Sequence, residues 1–200
     1  TMTDMTPDQF YASKTCNRQR IVGDVRLEQQ WMLSQTFTLT DCEITGMFWL
    51  YLVGGRALSL AEMPTITMSY VDINGGSILL NAAKWTADYS YIDGGSQWSL
   101  DDVWAPFITG NAPISISNSV FYGPYFTQPT HAEPLHVGDY GNGYRFTNVA
   151  FLQQSGPLDN TGITATINFH GLDSIFDGCW FVWENPAQPP AYITAYLDAG

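Results

Sequence analysis

The sequence predicts an all-β chain: a right-handed parallel β-helix solenoid of about six coils with a short N-terminal capping helix. The first observation is a repeat. Ile114-Ser115-Ile116-Ser117-Asn118-Ser119-Val120-Phe121 returns at residues 144–151 and 174–181 and upstream at 37–44, with weaker copies at 66–73 and 85–92. The copies begin 29, 19, 29, 30 and 30 residues apart, and a near-constant period in this range marks stacked units. The second observation is the pattern inside each copy. Its first, third and last positions are mostly apolar, with polar residues between the first two, as in a short strand with alternating faces. The third is the fifth position, which reads Asp41, Tyr70, Tyr89, Asn118, Asn148 and Gly178. Asp, Asn and Gly tolerate a left-handed backbone, so strand, left-handed residue, strand describes a sharp corner. A β-sandwich with similar-looking strands is the alternative, but sandwiches seldom repeat a corner at even spacing.

Taken in order, the chain opens with a helix signal. Thr6 can cap, Pro7 suits the first helical position, Gln9 can return the capping bond and Asp8 favours the positive helix end. The helix is expected to run to about Lys14 with Phe10 and Tyr11 as its apolar side, covering an open end of the sheets. Residues 1–20 then form a capping helix or assembly arm, residues 21–185 the β-helix, and residues 186–200 a Pro-rich segment and last strand. Ile21 to Leu27 is expected to start the strands, and Met47 to Val53, stopped by Gly54-Gly55, reads as a buried strand. Residues 74–104 are the least regular, and residues 122–143 read as a long excursion. Ala191 to Leu197 reads as a final strand able to pair with another subunit.

At 200 residues with 45% hydrophobic and 14% aromatic content, one domain with a substantial core is expected. Six rungs of parallel strands give a rod of roughly 30 Å. The net charge of −12, with Lys14 and Lys84 the only lysines, argues against nucleic acid and against anionic membrane surfaces. Such a surface suits neutral glycans or protein partners. No apolar run is long enough for a transmembrane helix, and no signal peptide is visible; the expected location is a virion or the extracellular space. Cys16, Cys42 and Cys179 read as small core residues, since an odd count with no CxxC pair gives no disulfide framework.

The polar motifs are weak. His131, Glu133 and His136 form HxExxH, which is not the helical metal spacing, and Pro134 forbids a regular helix. Asp72-Ile73-Asn74-Gly75-Gly76 starts like a calcium loop but lacks the closing acid, which falls at Ala83. No metal and no cofactor is expected. Carboxylate pairs that can serve sugar hydrolysis are Asp101 with Asp102, Glu133 with Asp139, and Asp173 with Asp177. The aromatics in or beside loops and corners are the stronger ligand-binding candidates: Trp98, Trp104, Tyr122, Tyr125, Tyr140, Trp180 and Trp183. Trp180 stands where other copies are polar or small, which predicts an outward face.

The coil segments, together with the run from Glu133 through Gly138-Asp139-Tyr140-Gly141-Asn142-Gly143 to Phe151, resemble the right-handed β-helix superfamily over roughly residues 35–183. That group includes pectate-lyase-like enzymes and bacteriophage tailspike or minor tail proteins. The resemblance implies a fold and a class of ligand, often polysaccharide, and carries over no catalytic residue. The expectation is a non-enzymatic structural or adhesion protein of a virus particle, forming a homo-oligomer with a trimer favoured. It would contact host-surface polysaccharide or other virion proteins. A polysaccharide lyase or glycoside hydrolase, or a secreted carbohydrate-binding module, is the alternative.

Overall fold

The computed structural model describes residues 2–27, 30–50, 58–75, 77–80, 83–93, 107–109, 113–123, 135–153, 167–184 and 195–197. Among them the chain is all-β apart from one α-helix and a single 3-10 turn at Gln30–Met32. The strand pairings are parallel.

The chain begins with β1 (Thr3–Met5) and α1 (Pro7–Ser13). Helix α1 forms on the predicted signal. The Gln9 amide donates to the Thr6 hydroxyl at 3.2 Å, and the Gln9 side chain accepts from the Thr6 amide at 2.7 Å, so each satisfies an orphan donor of the other. Lys14 closes the helix in the left-handed region at φ 58°. Phe10 is fully buried, its ring 5.7 Å from that of Phe37, which docks the helix on the core.

Strand pairing starts before Ile21, earlier than the sequence reading. Strands β2 (Thr15–Asn17) and β3 (Gln19–Ile21) pair with the segment at 36–44, and β1 pairs with β3. Each of these short strands offers one inward apolar side chain, Met5, Cys16 or Ile21, too little for a periodicity reading to register. Next come β4 (Val25–Leu27), β5 (Thr36–Ile44) and β6 (Phe48–Leu50), then β7 (Thr65–Ile73) and β8 (Ser77–Leu80). They are followed by β9 (Lys84–Asp88), β10 (Tyr91–Asp93) and β11 (Phe107–Thr109). Further on lie β12 (Ile114–Ser117), β13 (Val120–Gly123) and β14 (Leu135–Asn142), then β15 (Arg145–Thr147), β16 (Ala150–Gln153) and β17 (Ile167–Leu172). The last are β18 (Ile175–Asp177), β19 (Trp180–Trp183) and β20 (Ala195–Leu197).

These strands make a curled 13-stranded sheet and a 7-stranded sheet. The ladder joins Phe37 to Ile66, Ile66 to Trp85 and Trp85 to Ile114, then Ser115 to Arg145 and Arg145 to Ile175. These are the offsets of the sequence repeat, the short step of 19 residues included. The larger sheet bends along the predicted corner. Asp41, Tyr70, Tyr89, Asn118, Asn148 and Gly178 have φ of 58°, 55°, 47°, 48°, 53° and 61°. Arg18, at φ 54°, adds an earlier member.

The inward columns form the core. Before the corner they hold Leu39, Met68, Ala87, Ile116 and Phe146; after it Ile44, Ile73, Ile92, Phe121 and Phe151, all buried. Directly after the corner stands a column of small side chains that turn back onto the backbone. Ser90 donates to the Asp88 carbonyl at 3.0 Å, and Ser119 to that of Ser117 at 2.5 Å.

Two local expectations are corrected. Cys16 and Cys42 are buried as predicted but joined in a disulfide, because the Cys16–Leu39 register brings their Cα atoms to 6.4 Å; Cys179 is free. The excursion at 122–143 contains β13's end and the whole of β14, whose Gly and Tyr content hid a strand. Of the expected last strand at Ala191 to Leu197, Ala195–Leu197 is formed and pairs with β17, and 191–194 lie outside the described residues. Of the expected strand at Met47 to Val53, Phe48–Leu50 is formed and 51–53 lie outside the described residues.

Candidate functional site

The side chains of the non-glycine corner residues are exposed or half-buried, and the column becomes a ladder along the surface. Its lower part is charged: Arg18 Nε lies 3.6 Å from Asp41 Oδ2. Its middle is aromatic: Tyr70 and Tyr89 are stacked with ring centroids 5.0 Å apart and planes 5° from parallel, and they are 58% and 52% exposed. Its upper part is an amide chain, in which Asn148 Nδ2 donates to Asn118 Oδ1 and Asn118 Nδ2 to Asp88 Oδ1, both at 2.8 Å. Asn17, Arg18, Thr40, Asp41 and Tyr70 line an open cleft of about 390 Å³.

Two positions past the corner the chain faces outward again. One column runs Glu43, Asp72, Tyr91, Val120, Ala150 and Trp180, and the next outward column includes Asn74, Asp93 and Tyr122. Tyr91 and Tyr122 stack at 5.9 Å. Burial pushes the Asp72 carboxyl above its ordinary range, and the Glu43 and Asp93 carboxylates add to the effect, while a hydrogen bond with Asn74 opposes it. Burial is also the main cause that raises the Tyr91 and Tyr122 hydroxyls; Asp93 adds to it in both, and Glu184 does as well. Among the described residues, no three His, Cys, Asp or Glu side chains are placed to hold a metal ion.

The candidates from sequence fall in three groups. Trp180 is 66% exposed on the last rung of its outward column, as predicted. Tyr122 is half-buried against Tyr91, and Trp183 is partly buried, in register with the buried Gln153. Asp139 and Tyr140 lie on β14 where its register shifts between Val137 and Gly141. Trp98, Asp101, Asp102, Trp104, Tyr125 and Glu133 lie outside the described residues, as does His131. Asp173 and Asp177 are both exposed, Asp173 in the turn before β18 at φ 53°. The Asp72 stretch that begins like a calcium loop has another use for its glycine: Gly75 packs on the Gly46 backbone.

Glu43, Asp72, Tyr91 and Asp93 escaped the sequence reading as a site. Their signal was present in the repeat itself, two and four positions after the corner, but is visible only when the copies are aligned and read down the columns.

Comparison of the chain with family models, with curated proteins and with solved structures finds no match. No helix among the described residues is long and apolar enough to cross a membrane.

Proposed function

We propose that the parallel strands close into a right-handed β-helix of about six coils, preceded by the pass from Thr15 to Leu27. We read the protein as a non-enzymatic structural or adhesion module of a virus particle whose outward aromatics contact glycan. The observation that carries this reading is the exposed Tyr70–Tyr89 stack on the corner ladder. Flat aromatic faces held open to solvent are what sugar rings stack on, and they are costly to expose otherwise. The Cys16–Cys42 disulfide supports a location outside a reducing cytosol. The acidic, lysine-poor surface suits an uncharged ligand. A homotrimer is the proposed assembly.

Two experiments test the reading. Sedimentation at micromolar protein should give a trimer that persists in moderate salt; a clean monomer would remove the assembly. Binding to immobilised polysaccharides should be measurable and should fall when outward aromatics are truncated. A second reading, a polysaccharide-degrading enzyme, draws on one observation: the raised Asp72 carboxyl beside Glu43 and Asp93, since glycoside hydrolysis uses paired carboxylates with separated protonation states. Shortening of a polysaccharide by the native chain, lost in Asp72→Asn, would favour it.

A further inference from the structure

The corner ladder spends conformational energy at three rungs, Arg18, Tyr70 and Tyr89. Asn118, Asn148 and Gly178 suit left-handed φ, whereas Tyr70 and Tyr89 adopt it at φ 55° and 47°, where a bulky side chain is unfavourable. Left-handed strain in a non-glycine residue concentrates at sites of function. What it achieves here is a fixed ring: Tyr89 backs Tyr70 at 5.0 Å and 5°, leaving Tyr70 58% exposed toward the cleft it shares with Asn17, Arg18, Thr40 and Asp41.

We propose that this cleft is a binding subsite for one neutral hexose unit of a glycan, stacked on Tyr70. The inference rests on the glycan-contacting role proposed above and names its place and ligand class. The polar lining fits the chemistry of a sugar edge. Each sugar hydroxyl both donates and accepts, and the cleft alternates a donor guanidinium (Arg18), an acceptor carboxylate (Asp41) and two groups that do both (Asn17 and Thr40). Arg18 Nε is 3.6 Å from Asp41 Oδ2, so the local charge is balanced. In a chain of net charge −12, a uronate or sulfated sugar gains no attraction there. The cleft of about 390 Å³ falls in the range of small-ligand sites, about 300–1,000 Å³. The pre-set ring lowers the ordering cost of binding.

The test uses the full chain on immobilised dextran, mannan, galactan, xylan and polygalacturonate. The native protein should bind at least one neutral polymer and prefer it to polygalacturonate. Tyr70→Asn, which suits the left-handed position, should keep or raise Tm while weakening binding about tenfold or more. Asp41→Asn, equally compatible with its backbone, should also weaken binding, and Trp180→Ala should have a smaller effect. Retained binding in both Tyr70→Asn and Asp41→Asn with loss in Trp180→Ala would overturn this subsite and leave the glycan role standing. Preference for polygalacturonate would overturn the neutral ligand. Native protein that binds none of the five would overturn the glycan role and the subsite together.

Discussion

Gly75 lies over Gly46 with no room for a side chain between them: a Cβ on Gly75 would stand 2.6 Å from the Met47 backbone nitrogen. Gly46 sits in the same way on Gly23, its Cβ position 2.6 Å from the Asp24 nitrogen. Here successive passes turn from one sheet to the other at backbone contact. Alanine at either position must push strands apart, so Gly46→Ala and Gly75→Ala are each expected to cost about 3 kcal/mol or more in urea unfolding. Gly143 is the control. It has nothing within 4 Å of its Cβ position and φ 73°, so Gly143→Ala should cost only the left-handed penalty of about 1–2 kcal/mol. Equal losses at all three would show that the contact is not what selects glycine.

The Cys16–Cys42 bond ties the pass that carries α1 to the next, closing a loop over a sequence separation of 26. Replacing both cysteines by alanine is expected to lower stability by about 2–4 kcal/mol. Unfolded, unreduced protein should titrate with one thiol, that of Cys179. In the native state burial holds the Cys179 thiol above its ordinary value, so alkylation there should be slow near neutral pH. Three titrating thiols would refute the bond.

The corner column was the most legible part of the fold. A left-handed residue leaves a chemical trace, Asp, Asn or Gly at a fixed offset, and the inward columns leave an apolar trace beside it. Tyr70 and Tyr89 break the chemical trace, and the spacing alone placed them. The glycine stack was not legible, because Gly23, Gly46 and Gly75 fall outside the repeated octet and look like ordinary turn residues. The disulfide was hidden for a related reason: Cys16 belongs to strands whose polar sequence gave no repeat signal, so its register with Leu39 could not be drawn. The acidic and tyrosine columns form only across neighbouring strands: Glu43 and Asp72 pair in register although 29 residues separate them, a distance no local motif spans.

The rings of Phe121, Phe151 and Phe181 stand one above another, with centroids 5.3 Å apart at both steps, in the ladder register Phe121–Phe151–Phe181. Phe151 is fully buried in the middle and touches Phe146 and Phe176 as well. Phe151→Ala removes partners on both sides and leaves a cavity that strands on either side hold open, so it should cost about 3–5 kcal/mol. Phe181, on the last rung and only partly buried, should cost less, about 1–2 kcal/mol on truncation, in proportion to the area it hides. Chemical denaturation of the two variants side by side checks the ordering; a larger loss at Phe181 would contradict it.

Asp72 gives the stability of the fold a pH dependence of definite sign. Burial, then Glu43, then Asp93, raises its carboxyl above the ordinary value of 3.8. The folded chain therefore binds this proton more tightly than the unfolded chain. Between 3.8 and the raised value, stability falls as pH rises, and the full penalty persists at neutral pH. Asp72→Asn removes the charge and keeps a side chain that can hydrogen-bond Asn74. The site is partly solvated, so screening reduces the gain to about half a kcal/mol, or roughly 1–2 °C in Tm for a chain of this size. The variant should be the more stable at pH 7, and the difference should vanish on acidification once Asp72 is protonated in both states. A Tm for Asp72→Asn at or below the native value at pH 7 would mean that the charged carboxylate is favoured where it stands, against the acidic column that surrounds it.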